Sequence, residues 1–180
     1  MYINEGNLNF KKTIIYQGAR GLQVRDVVTD DIDKDGDIDV LFGEGIDDNK
    51  LLINDGKASF SDFGKLTNSN FFNPLWTDAV VADVDNDGQK DILTWNNYSF
   101  PELTLMKAFL ERVEIDDLER GNGGELLVAD FDKNGFLDIV VQSYSTNTVY
   151  ILYQSARLQF RTEILDANWN NSSVTIEDKW

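Results

Sequence analysis

One short acidic pattern recurs three times along the chain and restricts the possible folds more than any other feature. Each copy reads D-x-D-x-[DN]-G-x-x-D, and the copies span residues 31–39, 83–91 and 130–138. Oxygen atoms at the first, third and fifth positions can converge on one cation if the backbone curls sharply. The glycine at the sixth position permits that curl because it tolerates a positive φ. The pattern therefore predicts three metal-binding loops, named here loop 1, loop 2 and loop 3.

The predicted ligands occupy five equivalent positions of each loop. Positions 1, 3, 5 and 9 offer their side chains, and position 7 offers its backbone carbonyl. In chain order these residues are Asp31, Asp33, Asp35, Asp37 and Asp39, then Asp83, Asp85, Asp87, Gln89 and Asp91, and then Asp130, Asp132, Asn134, Phe136 and Asp138. We expect about three Ca²⁺ ions, because calcium accepts oxygen ligands in a flexible geometry whereas magnesium demands a near-ideal octahedron. Loop 3 has one carboxylate fewer than the others, so it should bind calcium more weakly.

Two other structures share part of this pattern. A single copy would be equally typical of an acidic turn, since Asp, Asn and Gly are common turn residues. Three copies with the same glycine and the same closing aspartate favour a metal loop. An EF-hand requires Glu at position 12 and a helix on either side, but position 12 is Phe42, Thr94 or Val141, and the flanking residues alternate like strands. The sequence therefore excludes an EF-hand.

The surroundings of the loops repeat as well, at intervals of 52 and 47 residues. An apolar run precedes and follows each loop, and a hairpin-like stretch comes later in the unit, at 51–60 and again at 149–160. Partial copies occur at both ends, a hairpin at 2–10 and a strand at 173–178. Units of about 50 residues with four short strands are typical of β-propeller blades. The predicted fold is therefore all-β, built from four-stranded, propeller-type blades.

Together, the acidic loops, the apolar strands beside them and the N-x-G-x-x-x-F hairpin resemble the FG-GAP/VCBS repeat family, which includes the propellers of integrin α-chains. The resemblance covers nearly the whole chain. It implies that the calcium loop joins the first and second strands of each blade. It also implies an extracellular or cell-surface location and a role in binding or adhesion.

Residues 1–180 are predicted to form one repeat domain. The expected units are the end of a preceding blade (1–23), three blades (24–72, 73–121 and 122–168) and the first strand of a next blade (169–180). About three and a half blades are fewer than the four to eight of a closed propeller. We therefore expect a partial or open propeller unless further blades of the same or another chain complete it. Within the second blade, residues 102–116 suit either a hairpin or an amphipathic helix, and the repeat favours the hairpin.

Composition excludes several functions. The chain has 16 Lys and Arg against 32 Asp and Glu, a net charge of −16, which argues against nucleic acid and anionic membranes as partners. No apolar stretch is long enough for membrane insertion, and the first residues lack the pattern of a signal peptide. The absence of His and Cys removes the usual catalytic bases, thiolate nucleophiles and zinc ligands. We therefore expect no enzyme activity.

The expected function is a calcium-binding propeller module that binds a protein or glycan ligand, with calcium in a structural role. The alternative is a propeller portion, catalytic or not, of a larger extracellular polysaccharide-active enzyme. The aromatic residues Trp76, Trp95 and Trp169 could stack on sugars in a lectin-like site. We favour the simpler interpretation that such residues pack between blades.

Overall fold

The computed structural model describes residues 1–17, 24–44, 48–65, 76–96, 103–107, 111–116, 118, 123–144 and 146–166. All regular secondary structure in these residues is β-strand. The strands are β1 (Tyr2–Gly6), β2 (Asn9–Lys12), β3 (Val24–Asp30), β4 (Asp39–Glu44), β5 (Asp48–Asn54), β6 (Phe60–Lys65), β7 (Trp76–Ala82), β8 (Asp91–Asn96), β9 (Leu103–Lys107), β10 (Glu111–Asp116), β11 (Gly123–Ala129), β12 (Asp138–Ser143), β13 (Thr148–Ala156) and β14 (Gln159–Asp166).

These strands form three antiparallel sheets of four, each with its strands in chain order. Sheet 1 contains β3–β6, sheet 2 contains β7–β10 and sheet 3 contains β11–β14, while β1 and β2 form a separate hairpin. In each sheet the acidic loop joins the first strand to the second. The predicted all-β fold with four-stranded units, in a partial or open propeller-like arrangement, is thus confirmed.

Within the ambiguous segment of the second unit, the described residues form two paired strands and not a helix. β9 and β10 pair antiparallel, with Val113 opposite Leu105 and Arg112 opposite Met106. The partial hairpin predicted at 2–10 is also present, as β1 and β2. The predicted strand at 173–178 lies outside the described residues, and the predicted unit boundaries fall within or next to segments outside them.

The core lies between successive sheets because their strands alternate apolar side chains between two faces. On β8, Leu93 and Trp95 pack against residues of sheet 3 such as Ile139, whereas Ile92 points the other way into a cluster with Leu41 of sheet 1. Each middle strand therefore presents apolar side chains on both faces, as expected for a sheet stacked between two others.

Trp95 shows how an aromatic side chain joins two sheets. It is fully buried, and its Nε1 donates a hydrogen bond to the carbonyl of Gln142 in sheet 3 at 2.9 Å. It therefore packs between sheets, as we favoured from the sequence. Trp169 lies outside the described residues.

First strands of neighbouring sheets lie side by side, since β7 contacts both β3 and β11. This brings the acidic loops of neighbouring sheets close together. Lys90 at the end of loop 2 pairs with Asp30 just before loop 1, with Nζ 2.9 Å from Oδ2. The loops therefore form one edge of the stacked sheets.

Candidate metal centres

The three acidic loops share one backbone conformation. The residue at position 4 has a positive φ of 58–65° and the glycine at position 6 has a φ of 86–97°. The residues concerned are Lys34 and Gly36, Asn86 and Gly88, and Lys133 and Gly135. Glycine is suited to position 6 because such an angle strains residues that carry a Cβ. A common backbone turn thus underlies the repeated sequence pattern.

Hydrogen bonds from the backbone hold the first and last carboxylates in place. In loop 3, the N–H of Gly135 donates to Asp130 Oδ2 at 2.9 Å, and the N–H of Phe131 donates to Asp138 Oδ2 at 2.8 Å. Loops 1 and 2 make the same two bonds at 2.8–3.1 Å. Positions 1 and 9 are therefore fixed by the loop itself.

Carboxylate oxygens of positions 1, 3 and 9 converge within 4.8 Å of one another in every loop. The three groups are Asp31, Asp33 and Asp39; Asp83, Asp85 and Asp91; and Asp130, Asp132 and Asp138. The side chains of position 5 accept a hydrogen bond from the N–H of position 7 at 2.8–2.9 Å. Position 5 thus orients the backbone of position 7, where Asp37, Gln89 and Phe136 stand.

Loop 1 has an unbalanced concentration of negative charge. The pKa of Asp33 is raised above its ordinary value by desolvation and by electrostatic repulsion from Asp39, Asp35 and Asp31. A hydrogen bond from the N–H of Asp35 partly offsets this increase. Among the described residues, Asp31 Oδ1 is buried and has no hydrogen-bond partner. An orphaned carboxylate oxygen beside two other carboxylates suits a hard divalent cation, so the donor set of loop 1 fits calcium.

The closing aspartates also tie their loops to the third strand of the sheet. Asp39 Oδ1 accepts the N–H of Asn54 at 2.9 Å, and Asp138 Oδ1 accepts the N–H of Gln154 at 2.8 Å. The side chains of Asn54 and Gln154 donate in turn to the carbonyls of Ile38 and Leu137. These two amides support the loops but were missed in the sequence. Their common place in the repeat, late in the third strand, is the signal that could have found them.

Gly56 in the hairpin of sheet 1 lies directly against loop 1. A Cβ on this residue would lie 2.4 Å from Asp37 Oδ2. The Asn54-Asp55-Gly56 turn therefore packs on the Asp37 side chain, and a larger residue at 56 would push it away. The side chain of Asp37 supports the turn, while position 7 keeps its backbone carbonyl as the predicted ligand.

Loop 2 differs from the other two because positively charged side chains reach it. Lys107 Nζ and Arg157 Nη2 each lie 2.7 Å from Asp85 Oδ2, and the same Arg157 nitrogen is 3.0 Å from Asp87 Oδ2. Burial would raise the pKa of Asp85, but Lys107 and Arg157 outweigh it and hold that pKa below its ordinary value. Neither cation was singled out in the sequence, because each is distant from the loop along the chain.

Comparison with known proteins supports this architecture. Residues 31–94 match a family described as FG-GAP-like repeat. The chain is 28% identical over 145 residues to cartilage acidic protein 1 of Xenopus tropicalis. This alignment covers 71% of the chain and 21% of that protein. It is 27% identical over 162 residues to cartilage acidic protein 1 of Mus musculus, covering 78% of this chain and 24% of that protein. The matched region is thus a quarter or less of each relative.

Within the part of the chain that the structure describes, no helix is long and apolar enough to cross a membrane. The matched residues 31–94 contain loop 1, strands β4–β6 of sheet 1, and loop 2 with β7 and most of β8. They therefore include two of the three acidic loops in the sheet context that the sequence predicted. Residues 31–94 of the chain thus match the FG-GAP-like repeat family, which its acidic loops and strand pattern also resemble.

Proposed function

We propose that this chain is a calcium-binding repeat module whose ions stabilise a scaffold for binding a protein or glycan. The observation that carries the proposal is the common geometry of the loops. In each, carboxylates at positions 1, 3 and 9 converge within 4.8 Å on a curled backbone. Such a set of hard oxygen donors matches the preference of calcium.

Calcium in these loops has a structural role. The ion neutralises carboxylates that the fold brings together, and it binds the folded chain in preference to the unfolded one. It therefore adds to the free energy of unfolding by mass action, about 2.7 kcal/mol per site at a free concentration one hundred times the Kd. Asp31, Asp33 and Asp39 in loop 1 would hold the ion, with the corresponding residues in loop 3.

An extracellular location fits this role. The relatives are named cartilage acidic protein 1, and this chain is itself strongly acidic, with a net charge of −16. Extracellular calcium modules operate with weak sites, with Kd values of about 10⁻⁴–10⁻³ M. We propose a non-catalytic module, in keeping with a family of repeats associated with binding and adhesion. The bound ligand is a protein or glycan presented to the scaffold that the loops stabilise.

Calcium titration of the metal-stripped chain tests the proposal. Isothermal titration calorimetry should detect saturable calcium binding, and the melting temperature should rise between EDTA and millimolar calcium. Magnesium at the same concentration should raise it much less. A chain that binds no calcium and melts identically in both buffers would contradict the proposed function.

A matched pair of variants assigns the effect to the loops. Asp31→Asn removes one charge and alters the oxygen that lacks a hydrogen-bond partner, so it should weaken calcium binding and reduce the rise in melting temperature. Glu5→Gln removes the same charge from an exposed position in the β1–β2 hairpin, far from the loops in sequence, and should leave both unchanged. Equal effects of the two variants would show that only the overall charge matters.

A further inference from the structure

The central carboxylate of loop 2 is already neutralised by the protein. Asp85 is fully buried, and one of its oxygens, Oδ2, contacts both the ammonium of Lys107 and the guanidinium of Arg157 at 2.7 Å. Arg157 extends its contact to Asp87, at 3.0 Å. Two of the four carboxylates at the side-chain ligand positions of loop 2 therefore have cationic partners.

Loops 1 and 3 lack this arrangement within the described part of the chain, where no Lys or Arg forms an ion pair with their aspartates. The strand register shows why. Lys107 lies opposite the closing aspartate Asp91. In sheets 1 and 3, Val40 pairs with Leu52 and Ile139 pairs with Leu152. The next residues along the third strands, which correspond to Lys107, are the uncharged Ile53 and Tyr153.

Arg157 reaches loop 2 from a different sheet. It lies in the turn between β13 and β14 of sheet 3, and its bond to Asp85 joins residues 72 apart in sequence. Gln154 strengthens the same junction, because its Nε2 donates to the carbonyl of Val84 in loop 2 at 3.0 Å. Sheet 3 is thus attached to loop 2 by contacts that need no metal.

These cations compete with calcium for the same oxygen. A calcium ion that used Asp85 Oδ2 would have to displace both of them, or bind beside two positive charges. Calcium affinity depends on the net charge of the ligand set. With the two cations included, the side-chain ligands of loop 2 carry a net charge of −2, compared with −3 in loop 3 and −4 in loop 1.

We propose that Lys107 and Arg157 are built-in counter-cations of loop 2, which make it the weakest of the three calcium sites and keep it folded without the metal. This inference rests on the proposed function, since it ranks sites that must first bind calcium. It reverses the order expected from the sequence, in which the loop with Asn134 was the weakest. The Kd of loop 2 should exceed those of loops 1 and 3 by about tenfold or more, which corresponds to 1.4 kcal/mol.

Three substitutions at position 3 test this ranking in calcium titrations of the whole chain. The unaltered chain should bind two ions tightly and a third weakly. Asp33→Asn and Asp132→Asn should each remove one tight ion, whereas Asp85→Asn should leave both tight ions in place. Loss of a tight ion in Asp85→Asn, or three equally tight ions in the unaltered chain, would overturn the inference and leave the proposed function intact. A chain that binds no calcium would overturn the proposed function itself.

Removal of the counter-cations provides a second test that does not depend on Asp85→Asn folding. The variant Lys107→Met/Arg157→Gln should bind the third ion about tenfold or more tightly than the unaltered chain, and it should need calcium for full stability. The matched control Lys50→Met/Arg161→Gln removes the same charge from two other ion pairs, with Asp62 and Glu163. This control should retain one weak site. If the two variants bind the third ion equally, the local role of Lys107 and Arg157 is refuted.

Discussion

Asp78 in β7 accepts a hydrogen bond from the backbone N–H of Leu126 in β11, with Oδ2 2.7 Å from the nitrogen. Its other oxygen accepts the N–H of Ala79 in its own strand at 2.8 Å. One carboxylate therefore joins the first strands of sheets 2 and 3. Asp26 at the equivalent place in β3 faces the carboxyl group of Asp78. Two carboxyl groups thus meet where sheets 1 and 2 adjoin.

This pair should make stability depend on pH. Burial, together with the charge of Asp26 and a side-chain hydrogen bond to it, raises the pKa of Asp78 from 3.8 to about 6. Since the folded chain holds this proton more tightly than the unfolded one, the stabilisation is fully present below pH 4 and is lost as the pH rises through about 6. We expect the loss to be about 1–2 kcal/mol, because partial exposure screens the charges.

Asp26→Asn tests this pH dependence. The amide keeps an acceptor for the N–H of Val27, which Asp26 Oδ1 binds at 2.7 Å, and it offers Asp78 a donor in place of a charge. Guanidinium unfolding at saturating calcium, from pH 4 to pH 7, should show a smaller loss of stability than in the unaltered chain. Parallel curves for the two proteins would contradict a proton shared between Asp26 and Asp78.

Trp95→Phe should weaken the contact between sheets 2 and 3. The smaller ring leaves space in a fully buried site, and it removes the donor to the carbonyl of Gln142. We expect the free energy of unfolding to fall by about 2–3 kcal/mol. Tyr144→Phe is the control, since Tyr144 lies half exposed directly after β12, and its substitution should change stability by less than about 0.5 kcal/mol. Equal losses in denaturant titrations would show that Trp95 has no special role between the sheets.

Gly135→Ala should separate backbone strain from metal binding. Gly135 in loop 3 and Gly6 in the β1–β2 turn both have a φ of +93°, and a Cβ on either would meet nothing within 4 Å. Without calcium, each alanine variant should therefore lose about 1–2 kcal/mol from the unfavourable φ alone.

With calcium, the two glycine variants should differ. Gly135→Ala should also lose part of the calcium stabilisation, because the curl of loop 3 positions its ligands, while Gly6→Ala should not. Melting in EDTA and in calcium measures both effects. An identical calcium response in the two variants would mean that the curl of loop 3 does not position a metal.

Asp138→Asn should destabilise the chain even without calcium. Asp138 is fully buried, and its two oxygens accept the N–H groups of Phe131 and Gln154, both at 2.8 Å. The oxygen of an amide can accept only one of these bonds, and the amide NH₂ group would face the other N–H donor. The free energy of unfolding should therefore fall by about 1–3 kcal/mol. Asp132→Asn alters an exposed carboxylate of the same loop and should cost little in EDTA. A similar cost for both variants in EDTA would argue that Asp138 has no structural role beyond the metal.

Much of the fold was predictable because it depends on local patterns. The apolar runs beside the loops, such as Val40-Leu41-Phe42, predicted strands on both sides of each turn, and the repeated spacing predicted four strands per unit. The loops were predictable for the same reason, since Gly36 and the aspartates beside it act within nine residues of one another. Segment 102–116 was ambiguous because its apolar spacing also suits a helix, and the pairing of β9 with β8 and β10 decided it.

The sequence by itself determined the all-β repeat and the three acidic loops, because both arise from short-range periodicity and from the conformational freedom of glycine at one position. Only the tertiary structure decided which charges meet at each loop. Lys107 and Arg157 reach Asp85 from a third strand and from a neighbouring sheet, and no local pattern encodes such a contact. Stacking the sheets brings these distant residues together, and a loop with a complete set of carboxylates thereby acquires two cations of its own.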